Sequence, residues 1–319
     1  MPLPLVLSKG SLFIKMLPHI GATIVSLEKG GSGNLLKSDH SLWDDKDIPA
    51  LNAFSDFKQY NGHTIWVGPQ KDWWIKQNLN IARRDSAAPW PPDPYMAYGE
   101  YTSLRKDSYC TSLESPESPI SGITVKKDVA INDDESVFLN TSFTNIIDKP
   151  VSWDIWYNTR VDGYSKVFVP VASDKDVRVA PVLSDSSQAM PYEIKNGFFT
   201  YNAVAPEKSF QERSSKSFIY PSRPWMAAFI GNSLLIIRFE HHDRKLIHPE
   251  QALVEIYNHT EHDADASLLE LEYHSPYQTI KPGGIMEAWE VWKVYENTNA
   301  KTDDAKIAYL NELIKKGDL

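Results

Sequence analysis

Cys110 is the one cysteine in 319 residues. An intrachain disulfide is therefore excluded, and the fold must rest on packing and hydrogen bonds. The compartment stays open, since cytosolic and periplasmic chains both manage without disulfides. No apolar run approaches the roughly 20 residues of a membrane-spanning helix. The opening Met1-Pro2-Leu3-Pro4 lacks the basic residues of a signal peptide. Basic charge is also short. Thirty-three Lys and Arg face 42 Asp and Glu, a net charge of −9 with His neutral. A nucleic-acid or anionic-membrane partner would want the opposite sign, so neither is expected. Internal repeats and low-complexity tracts are missing, and so is helical periodicity outside the C-terminus.

What remains is short, strand-like runs between turn residues. Hydrophobic residues make up 42% of the chain, enough for a substantial core. The clearest stretch is Ala252–Tyr295. It holds three runs, Leu253–Tyr257, Leu268–Tyr273 and Met286–Val294, which read as consecutive antiparallel strands. Earlier runs at Leu12–Leu17, Thr23–Leu27, Gly122–Ile131, Ser136–Asn145, Val151–Val161, Phe198–Val204 and Trp225–Phe239 extend the series. The expectation is an all-β fold, a large antiparallel β-sandwich in one domain spanning residues 1–319. Near the end, Thr302 is suited to cap a short helix with Asp303 and Asp304 in its first turn. Ile307, Leu310 and Ile314 would form its apolar stripe.

Two strands carry polar groups at alternate positions. In Leu268–Tyr273 a period of two sets Leu269, Leu271 and Tyr273 on one face and Glu270, Glu272 and His274 on the other. Burying two carboxylates and an imidazole unpaired is expensive, so that face meets water or lines a polar site. In Val151–Val161 the same period separates Trp153, Ile155, Tyr157 and Thr159 from Asp154, Trp156, Asn158 and Arg160. Residues 56–101 are dense in Trp, Pro and Gly and show little periodicity, which reads as stiff, irregular chain. They hold His63, Trp66, Gln70, Trp73-Trp74 and Trp90. Stiff loops with aromatics are where sites sit on a β scaffold; a covering flap is the plain alternative. Ten Trp is a heavy load, and Trp offers an apolar face to the C–H face of a sugar ring.

These stretches resemble the galactose mutarotase-like superfamily, and within it a bacterial branch. The resemblance rests on Glu270-Leu271-Glu272-Tyr273-His274-Ser275-Pro276, then Lys281-Pro282-Gly283, then Glu287-Ala288-Trp289-Glu290-Val291-Trp292. Gly21-Ala22-Thr23-Ile24-Val25-Ser26-Leu27 near the start adds to it, with Gly62-His63, Trp66, Pro69-Gln70 and Trp90-Pro91-Pro92. It implies a supersandwich fold and a carbohydrate-binding protein of the aldose 1-epimerase-like type, acting at the anomeric centre of a sugar. It implies Glu272 as catalytic base, with Glu270 its rival on the same strand face. In the family a strand His supplies the acid, but Trp156-Tyr157-Asn158-Thr159-Arg160 stands there and no His lies between His63 and His241. His63 is then the acid on offer. Arg160, Asn158 and Gln70 would hold hydroxyls, and Trp66, Trp90 or Trp156 would stack on the ring. A saccharide-binding module without catalysis and a polysaccharide-processing, lyase-like role are the alternatives. The partner expected is a small carbohydrate. No cofactor is expected, and no metal, since adjacent His241-His242 cannot easily face one ion and no Cys supports them.

Overall fold

The computed structural model describes residues 4–44, 46–182, 184–296 and 298–319. Its strands form two large sheets. One has 11 strands and the order Leu5–Lys9, Leu12–Leu17, Thr23–Lys29, His63–Gly68, Val151–Asp162, Leu268–His274, Val254–Glu261, Glu212–Ile219 and Val177–Val179, with Ser187–Gln188 and Gln278–Ile280 pairing off this path. The second has 10 strands, running from Tyr192–Lys195 at one edge to Thr102–Lys106 at the other. Pairing is antiparallel throughout, apart from the short Ser187–Gln188 strand, which lies parallel to Glu212–Ile219. The expected antiparallel sandwich is therefore what forms.

Alternation decides what goes between the sheets. Ile155, Tyr157, Val161, Leu269, Leu271 and Tyr273 point inward and are fully buried. They join one large cluster with Phe143, Met286 and Trp292 of the second sheet. The Tyr157 hydroxyl crosses the interface to the Ala288 carbonyl, 2.5 Å away. At about 25 cal/mol per Å² of apolar surface, burial on this scale is the main term holding the sandwich together. The opposite face of the first sheet carries the polar alternates and is where the cleft lies.

Three readings from the sequence change. Residues 56–101 are not irregular throughout: His63–Gly68 is a strand, wedged between Thr23–Lys29 and Val151–Asp162. Its Trp66, Pro69 and flanking loop residues masked the period of two. The run Trp225–Phe239 is a hairpin, Trp225–Ile230 and Ser233–Phe239, turned at Gly231 with φ +56°. The three runs after Ala252 do not stay together. The first two pair with each other, but the third, Ile285–Tyr295, crosses to the second sheet between Ser233–Phe239 and Val137–Asn145.

The C-terminal helix spans Asp303–Lys316. The Thr302 hydroxyl accepts from the Ala305 amide, and Gly317 closes it in the left-handed conformation. It buries Ile307, Leu310 and Leu313 against Phe168, Trp225 and Phe229 on the outer side of the second sheet, with Ile314 half-buried beside them. That places it far from the cleft in the layer order, as a cover.

Candidate functional site

The cleft has a volume of about 910 Å³. Its floor is the outward face of Val151–Asp162 and Leu268–His274. One wall comes from His63–Gly68 and the loop that holds Trp90, the other from Glu212–Ile219 and Val254–Glu261. Cross-strand register sets the chemistry. Glu270 lies opposite Arg160, Glu272 opposite Asn158 and His274 opposite Trp156. On the other side, Thr64 and Trp66 lie opposite Asn158 and Trp156.

Glu270 and Arg160 form a pair on this floor. Arg160 Nε donates to Glu270 Oε1 at 2.8 Å, and Asn158 Nδ2 to Glu270 Oε2 at 3.1 Å. Arg160 also donates to Thr64 Oγ1 at 3.1 Å, and its guanidinium lies 5.0 Å from the centre of the Trp66 ring. The carboxylate is fixed in position by two donors, yet it keeps 13% of its side chain exposed to the cleft.

Glu272 is on the same face and fully buried. Lys216 covers it, with Nζ 2.8 Å from Glu272 Oε2 and 2.6 Å from Glu255 Oε2. The ammonium also lies 4.7 Å from the centre of the Trp156 ring. Burial pushes the Glu272 carboxyl above its ordinary range, against the pull of Lys216. Burial works on Glu255 in the same sense, but Lys216 and His274 overcome it and hold that carboxyl down to about 2. Burial acts against a charged His274 as well, yet Glu255 and Asp154 raise the ring well above the usual imidazole value. Asp154 Oδ1 is 3.0 Å from His274 Nδ1. A compact buried network of Asp154, His274, Glu255, Lys216 and Glu272 thus underlies the cleft.

The aromatic residues divide by exposure. Trp66 and Trp156 are buried and meet edge to face, ring centres 5.1 Å apart. Trp156 has the His274 ring on it, 5.0 Å away. Trp90 is 43% exposed, meets Phe57 and Trp66 edge to face, and lies tilted on Trp73 with ring centres 6.0 Å apart. Of the three cleft indoles Trp90 is thus the most exposed, and the buried Trp66 packs against it. Gln70 lines the cleft and donates to the Pro89 carbonyl at 2.8 Å, which ties the Trp90 loop to the sheet.

The structure brings Glu270, Arg160, Trp66, Trp90, Trp156 and Gln70 to the cleft and places Asn158 and Glu272 just beneath its floor. His63 is elsewhere. As the first residue of its strand it has the parity of Ile65, so its ring points between the sheets. Its Nδ1 is 2.9 Å from Thr159 Oγ1, and its ring meets Trp292 of the second sheet edge-on at 4.8 Å. Burial, then Lys127 and Arg160, lower its pKa well below the usual value. Glu272 is thus sealed under Lys216, and His63 lies on the other side of the sheet. Sequence reasoning missed Lys216, Glu255 and His259. Glu212–Ile219 is too rich in Ser and charge to show as a strand. His259 lines the cleft as the one imidazole there among the described residues, 2.9 Å from Glu261 and 3.3 Å from Glu212.

Solved structures define the fold class. The galactose mutarotase related enzyme of Lactobacillus acidophilus superposes with a TM-score of 0.54 at 8% identity, covering 92% of this chain and 98% of its own. A galactose mutarotase-like protein of Lactobacillus casei gives 0.54 at 8%, with 92% and 100% covered. The GalM/aldose epimerase homologue of C. elegans gives 0.51 at 14%, with 92% and 98% covered. The fold is galactose mutarotase-like. The chain belongs to the family described as Domain of unknown function (DUF4380), which matches residues 4–295. No curated protein matches it.

Proposed function

We propose that the cleft binds a saccharide. The observation that carries this is the half-open indole of Trp90 standing over a floor whose polar groups, Arg160 and Glu270, are fixed by each other. A sugar ring needs both: an apolar plane for its C–H face and rigid donors and acceptors for its hydroxyls. The ligand is neutral or weakly anionic and small enough for roughly millimolar affinity, near −4 kcal/mol. The test is quenching of Trp fluorescence by a panel of mono- and oligosaccharides, with Trp90→Ala as control. Saturable quenching that Trp90→Ala removes supports the reading; a flat response to every sugar in the wild-type chain contradicts it.

A second reading, proton transfer at the anomeric centre, is favoured by one feature. Glu270 is a carboxylate on the floor of the cleft, and His259 on the neighbouring strand can supply or take a proton. Glu270 takes the place that Glu272 holds in the sequence reading, and His259 that of His63. Anomer exchange followed by NMR on a panel of aldoses tests it. A wild-type rate above buffer that falls by about 10²–10⁴-fold in Glu270→Gln is the expected result.

A further inference from the structure

Under the floor, Glu255, Glu272 and His274 each offer one ligand atom, all within 4.8 Å of one another, and all three residues are buried. Register builds the group. Glu255 is directly opposite Glu272 on the paired strand, and His274 follows Glu272 by two on the same face. His274 Nε2 has no hydrogen-bond partner among the described residues, and neither has Glu272 Oε1. That nitrogen faces Glu255 Oε1 at 3.6 Å and Glu272 Oε2 at 3.8 Å. The other ring nitrogen is anchored: Nδ1 lies 3.0 Å from Asp154 Oδ1. An imidazole fixed by a carboxylate at one nitrogen, with the other aimed between two acid oxygens, is how proteins orient a metal-bound histidine. Gaps of 3.6 and 3.8 Å are of the size a cation bridges with bonds of about 2.0–2.2 Å.

The Lys216 ammonium now sits against both carboxylates. Its side chain is 23% exposed. It lines the main cleft and also a smaller cavity of about 270 Å³ that reaches Glu255. The Lys216 side chain thus borders open space on two sides, and Glu255 lines the smaller cavity with it.

We propose that Glu255, Glu272 and His274 are ligands for a divalent transition-metal cation, zinc by donor type, and that Lys216 competes with it for the two carboxylates, as a proton does for His274 Nε2. The imidazole favours zinc over calcium and magnesium, which prefer oxygen-only shells. The sequence shows no such set because its members come from two strands, and spacing along one strand does not reveal them. The proposal stands apart from the saccharide reading and does not depend on it.

Calorimetric titration of ZnCl2 into the full chain, dialysed against EDTA, tests it, with MgCl2 as control. One zinc per chain is expected, weakened about tenfold or more, at least about 1.4 kcal/mol, in His274→Ala and Glu272→Gln. Lys216→Met should bind zinc about tenfold or more tighter and should regain melting temperature when zinc is added. No stoichiometric binding by the wild-type chain or by Lys216→Met overturns the proposal. So does binding that His274→Ala and Glu272→Gln leave unchanged, which would put the ion on groups elsewhere, such as the exposed His241. Should Lys216→Met fail to fold, the wild-type titration against His274→Ala decides alone.

Discussion

Lys216 Nζ sits 2.8 Å from Glu272 Oε2 and closes that carboxyl off from the cleft. The same ammonium holds Glu255 at 2.6 Å, and the two acids are not equivalent. Glu255 is kept ionised, while burial drives Glu272 toward its neutral form. Replacing each by its amide should separate them. Glu255→Gln leaves Lys216 with a poor counter-ion and should cost about 3–5 kcal/mol, the scale of a broken buried pair. Glu272→Gln resembles the neutral acid and should cost less than about 1.5 kcal/mol. Urea midpoints for the two variants check this; a larger loss in Glu272→Gln would reverse the assignment.

The two tryptophans should also separate. Trp90→Ala removes an exposed indole, so stability should fall by less than about 1 kcal/mol while saccharide binding is lost. Trp156→Ala empties a buried site beneath Lys216 and His274 and should cost about 3–5 kcal/mol. Denaturation curves and sugar titrations on both variants give the comparison. Equal stability loss in the two would mean that Trp90 is part of the packed core.

Parity along the strands explains what the sequence disclosed. Leu268–His274 shows Glu270, Glu272 and His274 on one face because every alternate residue is a large apolar one bound for the core. The same rule read Asp154, Trp156, Asn158 and Arg160 correctly as a set. It could not say which member of a face is open. Exposure of Glu270 and burial of Glu272 depend on Lys216, which comes from a strand more than fifty residues earlier whose Ser-rich pattern has no apolar period. His63 was misplaced for a related reason: without recognising His63–Gly68 as a strand, its side could not be counted. Trp90 stands out in the sequence only as one of several Trp, since composition does not tell a buried indole from an exposed one.

His63 should therefore be structural. His63→Gln can keep a polar contact to Thr159 but loses the ring against Trp292, and should cost about 1–3 kcal/mol. Sugar binding and any anomer exchange, measured on the folded fraction, should stay at wild-type levels. A selective loss of exchange with unchanged stability would return His63 to the chemistry.

Glu290 gives a pH dependence. It is fully buried, accepts from Trp292 Nε1 at 2.8 Å, and burial raises its pKa to about 8. The unfolded chain loses this proton near the ordinary value of 4.5, whereas the folded chain keeps it to about 8. The folded state binds more protons across that window, so this group's contribution to stability falls as pH rises from 4.5 to about 8. Glu290→Gln removes the titration and keeps an acceptor for Trp292. The stability of wild type relative to Glu290→Gln should drop by a few kcal/mol at most, roughly, between pH 5 and 8. A pH-independent difference would show that Glu290 ionises as freely in the folded chain.

A saccharide in the cleft should lie against Trp90 and the Arg160–Glu270 pair. The most direct measurement is an NMR titration of the tryptophan indole N–H signals with the sugar panel, Trp90 assigned through Trp90→Ala. The Trp90 signal should move first and saturably for at least one sugar, and Arg160→Met should weaken this by about tenfold or more, about 1.4 kcal/mol. An unmoved Trp90 signal for every sugar at tens of millimolar, or a response equal in wild type and Arg160→Met, would contradict it.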